Sequence, residues 1–330
     1  MTLCVAWVRE VSNTKELIFA TDSCLSGGER WHSGVKLFEL PRKDCLICFA
    51  GDTNRTYPLI LNLISSVKFD HHLANTHTDI KEVLEYLTNL FTNLCNSITD
   101  YGTQEFEQVL GNFEFLFGGW SWEENDFKLW RLSYNFEMRG FAHDEIGGEN
   151  MVYAFIGDEL ETAERKLKDE LEKRGRLLTR TFDMEPFKVL LEMIRDKSFT
   201  TIDGAIQLAK IYPPGTVEFF GVLWPSADGK KTFLGKDVTY NNMPLVKYID
   251  PDTTEIIGDE VPYQLSDINE RIYGENSDFI KDCYPDGKLK EDLRDRDKKL
   301  LKSIFKEIAY SQFLEKEKIK FKIRGSGEDI

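Results

Sequence analysis

The segments LCVAWV (Leu3–Val8) and LIFATDS (Leu17–Ser23) decide the fold that this sequence predicts. Both are rich in apolar, β-branched and aromatic residues, and the polar stretch Glu10–Glu16 between them is typical of a hairpin loop. A second pair of strands is predicted at Val35–Leu40 and Cys45–Ala50, because the sequence PRKD that separates them has turn chemistry. We therefore expect the chain to open with four short strands and tight connections.

Blocks of helices and strands follow these four strands. Apolar residues recur at helical spacing in residues 53–68, where Thr53 is the expected N-cap, and again in residues 80–98. Further strands are predicted at Phe113–Trp120, Phe127–Leu132, Met151–Ile156, Ala205–Tyr212 and Val217–Trp224, and further helices at Glu159–Arg174 and Pro186–Arg195. Because the elements come in blocks rather than in regular alternation, we predict an α+β fold. It would be a four-layer αββα sandwich, in which two packed sheets are covered by helices on their outer faces.

The chain is expected to divide near residue 225. Residues 1–225 hold the predicted sandwich, and residues 226–330 are predicted to form a charged, largely helical C-terminal extension. The helical pattern of this extension is strongest over Leu289–Phe313. A chain of 330 residues is long enough to bury a sizeable core in the first of these domains.

Charge and cysteine content exclude several classes of protein. The net charge of −15 argues against a nucleic acid or an anionic membrane as the main partner. The start MTLCVAWVRE lacks the basic region and long apolar core of a secretory signal, and no stretch is long and apolar enough to span a bilayer. The six cysteines have no framework spacing, so we expect them to be reduced and the protein to be cytoplasmic. Cys45 and Cys48 are interpreted as buried strand residues, because no second pair completes a metal motif. No metal or other cofactor is expected.

Thr2 directly follows the initiator methionine, and removal of Met1 would leave a hydroxyl and a primary amine on one residue. Such a residue combines nucleophile and base, because Oγ attacks while the α-amine takes its proton. The β-methyl group also restricts χ1, which aims Oγ better than in serine. Small residues are common at position two for another reason, since they permit methionine removal. The prediction therefore depends on partners elsewhere in the chain.

Three segments supply such partners: ATDS, GVKLF and FAGD, which begin at residues 20, 34 and 49. An ammonium group on Lys36 beside the amine would disfavour its protonation and hold it partly free near neutral pH. Asp22 would pair with Lys36 and keep the lysine charged. Gly51 stands where a strand turns into a helix, and its N–H is expected to face the developing oxyanion. Loss of such a donor typically costs about 3 kcal/mol.

Taken in order, Thr2, Asp22, Lys36 and Gly51 resemble the pattern of proteasome-type N-terminal nucleophile hydrolases, and of the bacterial proteasome-related proteins in particular. In that family the mature chain begins with threonine, and an Ala-x-Asp-Ser segment ends the second strand. A lysine follows in the third strand, and a Phe-Ala-Gly-Asp-like segment ends the fourth. The resemblance covers residues 2–225 and implies that the four residues are catalytic.

The resemblance also implies where a substrate lies. In the relatives, the backbone after the aspartate lies beside a bound peptide, and here it corresponds to Leu25, Ser26 and Gly27. Main-chain hydrogen bonds to such a peptide would supply affinity. The residue two before the glycine lines the first specificity pocket in the family. Here that residue is Phe49, which predicts a shallow pocket that prefers small or medium apolar side chains.

Two supporting segments depart from the family pattern. The sequence IGDE places Asp158 where the family has a serine, and in TTIDGAIQ the candidates for the second support are Thr201 and Asp203. The resemblance further implies a homo-oligomer, in the form of a ring or spiral, with an ATPase unfoldase as a further partner.

The predicted function is therefore that of an N-terminal threonine peptidase or amidohydrolase, similar to a proteasome-like endopeptidase, acting on a peptide or protein substrate. Two alternatives stay open. One is a catalytically inactive scaffold or sensor with the same fold, which the altered support at Asp158 and Asp203 favours. The other is an amidase that acts on a small molecule.

Overall fold

The computed structural model describes residues 2–11, 14–99, 110–147, 151–176, 181–213, 215–238, 244, 246–257, 274, 276–285 and 289–308. The chain divides into two compact units, Met1–Asp259 and Glu260–Ile330. The strands of the first unit are β1 (Leu3–Val11), β2 (Thr14–Thr21), β3 (Leu37–Glu39), β4 (Cys45–Gly51), β5 (Phe113–Ser121), β6 (Asp126–Asn135), β7 (Gly140–Glu145), β8 (Tyr153–Gly157), β9 (Gln207–Tyr212), β10 (Thr216–Trp224), β11 (Lys230–Phe233), β12 (Lys236–Asp237), β13 (Lys247–Ile249) and β14 (Ile256–Ile257). Among the residues that the structure describes, its helices are α1 (Thr53–Phe69), α2 (Ile80–Asn96), α3 (Leu160–Lys173) and α4 (Glu185–Arg195).

The strands β1 and β2 form the predicted hairpin, but they run further into the predicted loop than expected. Their antiparallel register extends from Cys4 opposite Thr21 to the ends of both strands. Opposite charges face each other across the extended part, where Arg9 Nη1 lies 3.2 Å from Glu16 Oε2. Such cross-strand pairs stabilise strand pairing. The polar stretch therefore continues the ladder.

Two sheets organise the first unit. The larger has nine strands, in the order β12-β11-β10-β9-β2-β1-β8, with β13 paired to β10 and β14 paired to β13. The smaller has five strands in the order β3-β4-β5-β6-β7. The strands β11 to β14 lie beyond residue 225, so the first unit extends to residue 259 where the sequence analysis placed its end at residue 225. These strands are two to four residues long and partly charged, which is why they carry little strand signal.

Alternate residues of β1 face two different cores, as the period of a strand requires. Leu3 and Trp7 pack in a cluster with side chains of α3 and α4. Cys4 and Ala6 pack in a second cluster, which also contains side chains of β4 and β5 from the smaller sheet. A third cluster joins the smaller sheet to α1 and α2. Burial on both faces explains the continuous apolar run of β1, and the predicted α+β class is confirmed.

The second unit is described over short segments. Residues 276–283 and 295–308 are helical. Ile280, Cys283, Leu301 and Ile304 form its buried apolar cluster. Within the predicted helical stretch the helix begins at residue 295, and residues 309–313 lie outside the described part of the chain.

All six cysteines are buried, and none of them forms a disulfide bond. Cys45 and Cys48 lie in the fully buried part of β4, as expected for strand residues. None of the described helices combines the length and the apolar character needed to cross a bilayer.

Candidate active site

Thr2 precedes β1 and is almost completely buried, with 1% of its surface exposed. Its carbonyl oxygen accepts a hydrogen bond of 2.8 Å from the N–H of Asp158. Since β1 pairs antiparallel with β8, with Leu3 opposite Gly157, this bond continues the ladder by one residue. Thr2 Oγ1 accepts a hydrogen bond from the ammonium group of Lys36. The residue is thus held through its main chain by the end of β8 and through its side chain by Lys36.

Asp22 is positioned by the register of the first hairpin. β2 ends opposite Cys4, which places Asp22 beside Leu3. Its Oδ1 accepts a hydrogen bond of 3.1 Å from Leu3 N, and its Oδ2 accepts one of 3.0 Å from Cys24 N. The N–H of Asp203 donates to the same Oδ2 at 3.4 Å. Main-chain donors therefore fix both oxygens of a carboxylate that has no exposed surface.

Lys36 is completely buried, and its ammonium group donates to both oxygens of Asp22, at 2.9 and 3.0 Å. The side chain of Gln207 holds the lysine backbone. Its Oε1 accepts hydrogen bonds from Lys36 N at 3.0 Å and from Leu37 N at 3.2 Å. Its Nε2 donates to Gly34 O at 2.6 Å. One buried amide thus orients the segment that carries the lysine.

Gln207 was missed by the sequence analysis. It is fully buried at the start of β9, a strand that is otherwise apolar along most of its length. A single amide inside the apolar run AIQLA was the available signal, because a buried amide requires hydrogen-bond partners. Its partner is 171 residues away in the chain, and only the pairing of β9 with β2 brings it close.

Burial controls the charges of the Asp22–Lys36 pair. Removal from water raises the pKa of the Asp22 carboxyl, although the Lys36 ammonium and the N–H groups of Cys24 and Leu3 favour the ionised form. A buried ammonium needs a partner, because an isolated ion in a protein interior carries a penalty of several kcal/mol. Asp22 is that partner, and the remaining donor of Lys36 points at Thr2 Oγ1. A fixed positive charge there stabilises negative charge that develops on or beside the hydroxyl oxygen.

Gly51 ends β4 in the left-handed region, with φ of +110°. A Cβ at this position would lie 2.0 Å from the carbonyl oxygen of Asn112, so both the backbone angle and the space require glycine. Asp52 is the N-cap of α1, because its Oδ1 accepts a hydrogen bond of 3.0 Å from Asn54 N. Thr53, the predicted cap, is instead the first helical residue. The role of the Gly51 N–H as an oxyanion donor stays a prediction.

The end of β4 approaches Thr2 through Gly157. A Cβ on Gly157 would lie 2.0 Å from Thr2 O and 3.0 Å from the Cβ of Ala50. The thiol of Cys4 also contacts β4, with its Sγ 3.1 Å from Phe49 O. The ends of β1, β4 and β8 therefore converge around Thr2.

The prediction that Phe49 lines a substrate pocket does not agree with the structure. Its ring has no exposed surface and packs 6.3 Å from the ring of Phe38 and 5.5 Å from that of Tyr57. Alternation along β4 gives the reason. Cys48 and Ala50 face the larger sheet, so Phe49 faces α1 and α2. The predicted preference for small or medium apolar side chains has no basis in this ring.

Leu25, Ser26 and Gly27 follow the buried segment that carries Asp22. The N–H and C=O groups of Leu25 exchange hydrogen bonds of 2.7 and 2.9 Å with those of Trp31, which closes the loop. Beside it lies a cavity of about 410 Å³, lined by Leu25, Gly27, Glu29, Trp31 and Thr53. Contact between this segment and a substrate stays a prediction.

The two candidates of the second support segment, Thr201 and Asp203, differ in their contacts with the site. Asp203 reaches the site through its main chain, while its carboxylate binds Lys197 at 2.9 Å and Arg30 at 3.1 Å. Burial opposes ionisation of this carboxyl, but the hydrogen bonds from Lys197 and Gly204 N outweigh it and lower the pKa of Asp203. Thr201 lies two residues earlier and forms no hydrogen bond with the described catalytic candidates.

Comparisons with known proteins give structural similarity alone. No family model matches the chain, and no curated protein matches it. The structure of Anbu (ancestral beta-subunit) from Yersinia bercovieri is 18% identical with a TM-score of 0.44, over 64% of this chain and 82% of that chain. An Anbu mutant from Hyphomicrobium sp. strain MC1 is 15% identical with a TM-score of 0.44, over 73% and 90%. The helical assembly of the Anbu complex from Pseudomonas aeruginosa is 15% identical with a TM-score of 0.47, over 72% and 89%.

These findings correct the family resemblance drawn from the sequence. The similar structures are Anbu proteins, which are proteasome-like but form a distinct family, so the assignment to bacterial proteasome-related hydrolases is wrong. Identities of 15 to 18% with TM-scores below 0.5 do not assign the chain to the Anbu family either.

Proposed function

We propose that the chain is an N-terminal threonine hydrolase that cleaves amide bonds in peptides once Met1 has been removed. The observation that carries this proposal is the arrangement of Lys36. Its fully buried ammonium group donates to both carboxylate oxygens of Asp22 and to Oγ1 of Thr2. An arrangement made for stability alone has no need to direct a charge at a hydroxyl group.

The chemistry follows from these contacts. The free α-amine of Thr2 takes the proton of its own hydroxyl as Oγ1 forms a bond to the acyl carbon. The ammonium of Lys36 favours the neutral form of the amine and stabilises the negative charge of the attacking oxygen. Cleavage of the C–N bond transfers the proton to the leaving amine and leaves an ester on Thr2. A water molecule then attacks this ester with the same amine as base, which releases the acid and restores the hydroxyl.

The layer order belongs to the same proposal. We place the two sheets face to face, with α3 and α4 outside the larger sheet and α1 and α2 outside the smaller one. Three apolar clusters support this order, one for each interface between adjacent layers. Thr2 then lies at the edge of the interface between the sheets, where β1, β4 and β8 converge.

A catalytically inactive scaffold is the second candidate, and Asp158 favours it. This acidic residue binds the main chain of Thr2, and an anion beside the α-amine would favour the protonated form, which is unable to act as a base. In this case the buried charges would maintain the fold without turnover.

The intact mass of the purified chain separates the two candidates. We expect loss of Met1, followed by one covalent adduct on Thr2 after exposure to a peptide β-lactone or epoxyketone. Thr2→Ala should lose the adduct, whereas Thr14→Ala, at an exposed threonine of β2, should keep it. A chain that retains Met1 and takes no adduct would support the scaffold. An adduct that persists in Thr2→Ala would exclude the proposed nucleophile.

A further inference from the structure

The second compact unit contains a groove of about 390 Å³ beside the helix of residues 295–308. We call it the C-terminal groove. The residues that line it are Tyr284, Leu289, Lys298, Leu301, Lys302, Phe305 and Lys306. A volume of this size is typical of concave binding sites, which span roughly 300–1,000 Å³.

The apolar side chains of the C-terminal groove are only partly covered. Leu301 also belongs to the buried cluster of the unit, whereas Phe305 and Leu289 are 39% and 49% exposed. The ring of Phe305 meets that of Tyr284 edge to face, with the ring centroids 6.0 Å apart. Apolar side chains of a partner that covered this surface would gain free energy by removing it from water.

The polar side chains that line the groove are all lysines. Lys298, Lys302 and Lys306 are four residues apart, so they lie on one side of the helix, along about 12 Å of its axis. The described residues that line the groove include no carboxylate. Lys298 lies 3.8 Å from Asp295, but both side chains are more than half exposed, so this pair is weak. The groove is therefore a local positive surface on a chain whose net charge is −15.

We propose that the C-terminal groove docks an acidic amphipathic helix of a partner protein. Such a helix would place apolar side chains from successive turns against Phe305 and Leu289. Carboxylates four residues apart on the same helix would lie opposite the row of lysines, because the two rows have the same spacing. The apolar contacts supply affinity, and the lysines select acidic partners over basic ones.

The shape and the charge of the groove both favour this partner. A bilayer would require the apolar side chains to project outward from an amphipathic helix, whereas here they line a concave site. The negative charge of the rest of the chain does not prevent docking of an acidic helix. At physiological salt, charges more than about 8 Å away are largely screened, so the nearby lysines dominate.

The test measures binding of a fluorescein-labelled helical peptide to the full chain by fluorescence anisotropy. The peptide has about 16 residues, with leucines on one face and glutamates four residues apart along its border, and glutamine replaces every glutamate in a matched peptide. Lys302→Glu is compared with Lys299→Glu, which changes the charge equally at an exposed residue of the same helix outside the groove. Phe305→Ala is compared with Leu300→Ala, since Leu300 is 46% exposed and also lies outside the groove.

We expect the glutamate peptide to bind at least about tenfold more tightly than the glutamine peptide. Lys302→Glu should weaken binding of the glutamate peptide about tenfold, and Lys299→Glu less than about twofold, because only the first places an anion in the groove. Phe305→Ala should also weaken binding about tenfold, and Leu300→Ala should leave it unchanged.

Absence of peptide binding, or equal losses in Lys302→Glu and Lys299→Glu, would overturn the proposal. Two further measurements identify other occupants. If the peptide does not bind but phosphatidylserine vesicles do, and Lys302→Glu abolishes this association, the groove takes a bilayer. If instead the chain self-associates and Lys302→Glu abolishes the self-association, it takes a second copy. Either result would also overturn the proposal.

Discussion

Replacement of Asp22 by asparagine tests the site most directly, because it removes one charge and changes little else. Each oxygen of Asp22 accepts one hydrogen bond from Lys36 and at least one from the main chain. An asparagine offers one acceptor and one NH₂ group in their place. The NH₂ group would face a donor on one side, and the Lys36 ammonium would remain buried without a counter-charge.

The chain contains a matched control for this substitution. Arg42 and Asp44 form another ion pair with no exposed side-chain surface, with Nε–Oδ1 at 2.7 Å and Nη2–Oδ2 at 2.8 Å. Burial raises the pKa of the Asp44 carboxyl, as it does that of Asp22. The control pair lies in the turn between β3 and β4, at the opposite end of β4 from Gly51. Asp44→Asn therefore has a similar cost in buried charge without a change near Thr2.

The magnitudes separate stability from activity. Loss of one partner from a buried ion pair costs about 3–5 kcal/mol. We expect both variants near the lower end, because a raised carboxyl pKa means that the ionised form already costs folding free energy at neutral pH. The activity should differ much more. Without a fixed ammonium beside Oγ1, we expect Asp22→Asn to acylate at least a hundredfold more slowly, which corresponds to about 2.7 kcal/mol.

The assay combines two measurements on chains that begin at Thr2. Urea unfolding gives the stability, and the rate of adduct formation with a peptide β-lactone, followed by intact mass, gives the activity. Asp44→Asn should lose stability and keep a rate within a few-fold of the wild type. The reasoning fails if Asp22→Asn reacts at the wild-type rate, or if Asp44→Asn slows the reaction as much as Asp22→Asn does.

Three further predictions concern the same site. Protonation of the Thr2 amine should lower the acylation rate as the pH falls; protonation of Asp22, whose pKa burial raises above the ordinary carboxyl value of about 4, should add a further decrease in rate that Asp22→Asn lacks. Gly51→Ala should lower the free energy of unfolding in urea by at least about 2 kcal/mol, because the φ of +110° disfavours alanine and its Cβ would lie 2.0 Å from the carbonyl oxygen of Asn112. Unfolding of this variant at the wild-type urea concentration would contradict the prediction. Gln207→Leu leaves the N–H groups of Lys36 and Leu37 without their acceptor. It should therefore slow acylation by about tenfold or more and lower the free energy of unfolding by about 1–3 kcal/mol. An unchanged rate would show that the lysine is positioned by its ion pair alone.

Local pattern predicted much of the fold. The helical spacing over residues 53–68 and 80–98 corresponds to α1 and α2, which are described as Thr53–Phe69 and Ile80–Asn96. The opening strands also lie where composition placed them, because each is apolar on both faces and bounded by polar turns. The short strands β11 to β14 were not predicted, since they have two to four residues and their pairing is set by the neighbouring sheet.

The site residues in short motifs near strand ends were predictable from the sequence. Those brought to the site by pairing between strands far apart in the chain were not. Asp22 and Lys36 stand at positions that motif order identified, and the structure brings both to Thr2, although their catalytic roles remain predictions. Which face of β4 carries Phe49 was not predictable, because both faces of that strand are buried and the apolar pattern does not distinguish them. Gln207 needed the pairing of β9 with β2, which is a long-range contact that no local pattern contains.

The buried ion pairs Asp22–Lys36 and Asp44–Arg42 differ in the acceptors that their cations bind outside the pair, and this difference supports a chemical role for Lys36. Arg42 donates to the carbonyl oxygens of Leu73 and Thr78, both at 2.8 Å. Without Arg42, these two main-chain acceptors in the segment between α1 and α2 would lose these hydrogen bonds. A buried ion pair is weak evidence for stability, because well-packed apolar residues of similar volume often stabilise as much or more. Arg42 has a structural reason for its charge in these carbonyls. Lys36 directs its remaining donor at the hydroxyl of Thr2. A valine in place of Thr2 would remove this hydroxyl without the loss of any backbone hydrogen bond. This contact supports the role that we propose for Lys36 at Oγ1.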